Sequence, residues 1–229
     1  MILILGDGIL GTELAIQTGW DQVSRNKDGF DITDTSSWHS LLTGYTCIVN
    51  CIAYTDTYSQ DFDANWKVNV QGVKNLLDYC NLHNIKIVHI STDHIYSNSK
   101  SCASEKDVPV HLSTWYGYSK LIGDALVQLE SNYYLICRES HKPFPFPYPK
   151  AWRDQFTNGD YVTVISELII KLVNAGATGV YNVGTDIKTW ASLTGAEPIE
   201  KPERTPSDIT MDLTKMVEFL GFKRSSVKD

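Results

Sequence analysis

The chain opens on an unbroken apolar run, residues 1–5, that stops at the turn Gly6-Asp7-Gly8-Ile9-Leu10-Gly11. A strand apolar at every position has no face left for water. Such strands are housed in parallel sheets with helices packed on both sides. Largely apolar runs, read as further buried strands, return at residues 45–53 (YTCIVNCIA), 85–90 (IKIVHI) and 133–137 (YYLIC). Helical patterns separate them: Leu10 and Leu14 lie one turn apart, and Trp66, Val70, Val73, Leu77 and Cys80 form one stripe that Asn84 ends.

Other stretches complete the outline. A short strand is expected at 22–24, a short helix at 36–43, and a helix from a Ser113 cap to about Glu130. Residues 142–150, KPFPFPYPK, hold four prolines and predict an extended excursion over the surface or the cleft mouth, neither helix nor central strand. A helix over 162–173, a strand over 179–183, a loop over 195–209 and a last helix over 212–220 follow, with Gly221 as the stop. Alternating strands and helices predict an α/β fold, a doubly wound parallel sheet with helices on both faces.

Composition bounds the function. The 229 residues are 42% hydrophobic and 21% charged, ordinary for a soluble globular protein. A net charge of −7 argues against nucleic-acid or anionic-membrane partners, and no apolar run reaches the ~18 residues of a membrane span. Residues 1–5 lack a basic flank and read as a strand, not a signal peptide. Five cysteines without a C-x-x-C pair predict free thiols and a cytoplasmic setting. Six scattered histidines predict no metal site.

Two motifs carry chemistry. In a strand–turn–helix, the glycines at Gly6, Gly8 and Gly11 make a tight turn, open a path for a pyrophosphate and let helix meet strand. The alternative is a turn that only needs glycines. After the second strand, Ser24-Arg25-Asn26-Lys27 stands where an acidic residue would select NAD. Arg25 and Lys27 favour NADP(H), with NAD(H) possible; the alternative is a solvated basic turn. The second motif joins Thr92, ending a buried strand, to Tyr116 and Lys120, four residues apart and so on one helix face. An ammonium near a phenol is expected to lower its pKa. Such a phenol exchanges a proton with a carbonyl oxygen while hydride moves, and Thr92 hydrogen-bonds the same oxygen. Asp93 and His94 are candidate substrate contacts.

With these residues in place, the chain resembles the extended short-chain dehydrogenase/reductases, and among them the dTDP-4-dehydrorhamnose reductases. The likeness also rests on residues 31–34 (DITD), 49–55 (VNCIAYT), 68–72 (VNVQG), 89–93 (HISTD), 116–121 (YGYSKL) and 179–184 (GVYNVG). It implies a Rossmann-type NAD(P)-binding domain over residues 1–140. Residues 141–229 become a reduced C-terminal substrate lobe on the same domain. It implies Thr92, Tyr116 and Lys120 as the catalytic set, with Lys120 also on the nicotinamide ribose. Ile9, Leu10, Asp31, Ile32, Ala53, Tyr54, Thr55 and Asn69 then join Ser24 and Arg25 at the cofactor. The implied substrate is a nucleotide-linked 4-keto-6-deoxysugar, and the implied assembly a homodimer through the helices at 61–83 and 112–130. The pattern departs after Arg138, where SHKPFPFPYPKAWRDQ has no counterpart and the chain is shorter. An epimerase or dehydratase of the same superfamily with held NAD, and a nucleotide-binding regulatory subunit, are the competing readings.

Overall fold

A computed structural model describes residues 1–109, 112 and 114–222. Strand β1 (Ile2–Leu5) passes through the glycine turn into α1 (Ile9–Thr18). Then come β2 (Asp21–Val23), the one-turn α2 (Arg25–Asp28), α3 (Trp38–Leu42) and β3 (Cys47–Asn50). Helix α4 (Phe62–Trp66) continues through a π-helical stretch, Lys67–Gly72, into α5 (Val73–His83); β4 (Lys86–Thr92), α6 (Trp115–Glu130) and β5 (Tyr134–Glu139) follow. The remaining chain forms β6 (His141–Lys142), β7 (Lys150–Trp152), β8 (Phe156–Thr157), β9 (Asp160–Tyr161) and α7 (Val162–Asn174). Beyond them lie β10 (Gly179–Asn182), β11 (Lys188–Thr189), α8 (Trp190–Thr194), β12 (Glu197–Ile199) and α9 (Thr214–Phe219).

Six strands form one sheet in the order β10-β5-β4-β3-β1-β2, and every pairing in it is parallel. The direction of winding reverses between β1 and β3, so a crevice opens beyond the carboxyl ends of these strands. Successive side chains of a strand point to opposite faces, and the core divides accordingly. Ile4, Val49, Val88 and Leu135 face α1 and α7. Leu3, Ile48, Ile87 and Ile136 face α5 and α6. Among the described residues no helix is long and apolar enough to cross a membrane.

The alternation of strands and helices is as expected, and the differences are local. Trp66 is not in the core: it is 42% exposed and stacks on Phe62 at 5.7 Å. The wider π-helical turn that follows rotates it off the Val70–Cys80 stripe, and Asn65 is buried instead. The expected cap Ser113 falls outside the described residues; Thr114 caps α6, accepting from the Gly117 N–H at 3.0 Å. Residues 142–150 form no helix, as expected. Short ladders anchor their ends, β6 on β9 and β7 on β12. Phe144 meets Tyr161 edge-on at 5.0 Å.

Candidate active site

The crevice is a cleft of about 670 Å³, lined at one end by Gly6–Gly11, Arg25, Asp31 and Ile32, and at the other by Thr92, His94, Tyr116, Lys120 and residues 139–142. Its floor is Cys51–Thr55. The glycine turn suits a bound pyrophosphate. Gly6 has φ +100°, a conformation only glycine adopts easily, and a Cβ at Gly11 would lie 2.2 Å from the Gly6 carbonyl oxygen. A Cβ at Gly8 would meet nothing within 4 Å, so the path above it is open. No side chain caps α1, which leaves its first amides and the positive end of its dipole facing the cleft.

The neighbouring turn is tied to this one. Ser24 is fully buried and donates to Asp7 Oδ2 at 3.0 Å while capping α2 through the Lys27 N–H. Ser24 thus supports the rim and does not line the cleft. Arg25 does, and its guanidinium is 3.4 Å from Asp31 Oδ2. Asp31 accepts from the Thr33 amide and hydroxyl, which hold its carboxyl below the ordinary range. Asn69, expected at the cofactor, is also one layer back. Its side chain brackets Tyr54, accepting from the Tyr54 N–H at 2.8 Å and donating to its carbonyl at 3.0 Å, and it donates to Ser119 Oγ at 2.9 Å. It fixes the loop that carries Ala53, Tyr54 and Thr55.

At the other end, Thr92 closes β4, and Tyr116 and Lys120 stand one turn apart on α6. The Thr92 hydroxyl stands beside Tyr116 and favours its ionised form. Lys120 is 2% exposed and donates to the Ile90 carbonyl at 2.7 Å. The expected lowering of the phenol pKa is overturned. Burial pushes Tyr116 above its ordinary value, opposed by the Thr92 hydroxyl and reinforced by the Glu139, Asp93 and Asp124 carboxylates. Burial also lowers Lys120 to about 8, against the pull of Asp124 and Glu139. Behind Lys120 runs a buried polar chain: His89 Nε2 at 3.5 Å, Asp124 at 3.8 Å from His89, and Arg138 Nε at 2.9 Å from Asp124. Arg138 then donates to Tyr96 at 2.8 Å, and Tyr96 to Asn182 of β10 at 2.7 Å.

Of the two expected substrate contacts, His94 lines the cleft, edge-on to Tyr116 at 6.0 Å. Burial lowers it to about 4, so it is neutral at pH 7. Asp93 is fully buried under the turn and accepts from Thr157 Oγ1 at 3.1 Å; burial, then Glu139, raises it to about 7. Sequence reasoning missed Glu139, Ser140, His141 and Lys142. The available signal was period two: Leu135, Cys137, Glu139 and His141 share one side of an extended chain. Among the described residues no cluster of His, Cys, Asp or Glu is placed to hold a metal ion.

A parallel sheet with a glycine turn at its switch point and a Thr–Tyr–Lys set across the cleft defines a dinucleotide-fold protein with the groups for proton transfer. The chain belongs to the RmlD substrate binding domain family, whose profile matches residues 1–141. The probable low-salt glycan biosynthesis reductase of Haloferax volcanii is 32% identical over 242 residues, covering 87% of this chain and 80% of that protein. The dTDP-4-dehydrorhamnose reductase of Aggregatibacter actinomycetemcomitans is 30% identical over 61% of this chain, a match that spans only 50% of the relative. The crystal structure of dTDP-4-dehydrorhamnose reductase from Bacillus anthracis in complex with NADP superposes with a TM-score of 0.81 at 22% identity, covering 97% of this chain and 92% of that one. At that identity the likeness establishes the fold.

Proposed function

We propose that the protein is an NADP(H)-dependent reductase of a nucleotide-linked 4-keto-6-deoxysugar. The observation that carries this reading is the single cleft joining the open glycine turn to Thr92, Tyr116 and Lys120. The family and the named reductases among its relatives support the substrate class. A bound nicotinamide supplies the hydride. Tyr116 gives its proton to the carbonyl oxygen, Thr92 holds that oxygen by hydrogen bond, and Lys120 orients the nicotinamide ribose and favours the ionised phenol once the proton has left. Gly6, Gly8, Ile9, Leu10 and Gly11 take the pyrophosphate, while Ala53 to Thr55 line the path between the two ends. The segment after residue 140 supplies the substrate side.

Arg25 favours NADPH over NADH. Its guanidinium is largely exposed at the adenosine end, where it meets a 2′-phosphate by charge-assisted hydrogen bonds. Arg25→Ala is expected to weaken NADPH binding at least tenfold and leave NADH binding nearly unchanged, read by fluorescence titration. Tyr116→Phe tests the chemistry: turnover of dTDP-4-keto-6-deoxyglucose with NADPH falls ~10²–10⁴-fold while the NADPH dissociation constant stays within about threefold. Full activity in that variant overturns the assignment.

A further inference from the structure

Glu139 and His141 sit together in the cleft, and the reduction proposed above has no use for them. Glu139 ends β5 in register with Thr92 on the neighbouring strand. His141 follows two residues later on the same side of the extended chain. Its Nδ1 is 2.9 Å from Glu139 Oε2, and the Glu139 side chain is 5% exposed against 23% for His141. The bonds of this imidazole run from Nδ1 to the Glu139 carboxylate. A half-buried histidine–carboxylate hydrogen bond is a poor way to hold a fold, because packed apolar side chains do as well or better. In a cleft the same pair is a proton-transfer device: the carboxylate keeps the proton on Nδ1, which leaves the Nε2 lone pair as the base. The titratable groups around it are those of the site: Tyr116, Lys120, Asp93 and Lys142.

We propose that Glu139 and His141 form a second acid–base pair, which exchanges a proton on a carbon adjacent to the substrate carbonyl. The proposal rests on the keto-sugar reading. His141 Nε2 takes the proton from that carbon. The C–H electron pair becomes the carbon–carbon double bond, the carbonyl π pair moves to oxygen, and the oxygen takes the Tyr116 proton. Reversal, with His141 returning a proton to the same face and the oxygen returning its proton to Tyr116, restores the ketone with the carbon's configuration retained and its hydrogen exchanged with solvent. No electrons are gained or lost, so the step needs neither oxidant nor reductant.

The test is incubation of the full chain with dTDP-4-keto-6-deoxyglucose in D2O without NADPH. Proton NMR follows the hydrogens on the two carbons flanking the carbonyl, against an enzyme-free control. Loss of either signal faster than the control is expected. His141→Gln and Glu139→Gln each slow that loss ~10²-fold or more. Hydride transfer by the same preparations is read separately as NADPH absorbance, with thermal melting as the check on folding. NADPH consumption with exchange no faster than the control overturns this proposal and leaves the reductase reading standing. So does exchange that persists in both folded variants. Exchange by wild type, lost in the variants, without NADPH consumption overturns the reductase reading and supports the pair. Absence of both activities overturns both.

Discussion

Asp93 is fully buried beside Thr92, held by the hydroxyls of Thr157 and Thr92. Its folded pKa is about 7 against an ordinary 3.8, chiefly through burial. A raised folded pKa means that the native state binds the extra proton more tightly. The contribution is therefore fully present below 3.8 and lost as pH rises through about 7. Asp93→Asn keeps an oxygen for Thr157 and removes the charge. Its melting temperature is expected to exceed the parent's by a gap that opens between pH 4 and 7 and is constant above, worth a few kcal/mol at most. His94 and its depressed pKa act in the opposite direction, losing stability as pH falls from 6.5 towards about 4. Hence the difference between variant and parent, not the parent's own slope, is the reading. A gap independent of pH would contradict the account. Gly11 offers a steric counterpart: with a Cβ 2.2 Å from the Gly6 oxygen, Gly11→Ala is expected to cost about 1–3 kcal/mol by denaturant melting.

The element that most shapes the cleft floor is the π-helical stretch between α4 and α5. It places Asn69 where its amide brackets the Tyr54 backbone. Asn69→Ala leaves those half-buried groups without that partner, and NADPH binding is expected to weaken about tenfold by titration with little change in the circular dichroism spectrum. Little of this was legible beforehand. Three- and four-residue spacing exposes a helix stripe, but an extra residue in one turn leaves no mark in it, so Trp66 read as core. The β/α alternation was legible because β1, β3, β4 and β5 are buried on both faces and carry apolar runs that advertise it. β6, β7 and β8 were not, since ladders of two or three residues carry no periodicity. Thr92, Tyr116 and Lys120 stood out through helix spacing and a strand end. Glu139 and His141 did not, because they lie beyond the apolar part of β5 and only the two-residue alternation points to them.

At the scale of the whole molecule, Phe62, Trp66 and Trp115 form an exposed aromatic cluster where α4 meets α6. These helices are the expected dimer face, and light scattering is expected to give twice the 25.7 kDa chain mass, reverting to one mass in Trp66→Asp. The sheet has a further consequence. Its last strand, β10, comes from residues 179–182, far beyond the 141 residues that match the family profile. Asn182 on that strand terminates the buried chain that runs through Arg138 and Asp124 to His89 beside Lys120. The boundary of the sequence family is therefore not a boundary at which the polypeptide can be divided. A fragment ending at residue 141 would present the bare hydrogen-bonding edge of β5, and such a fragment is expected to self-associate on expression.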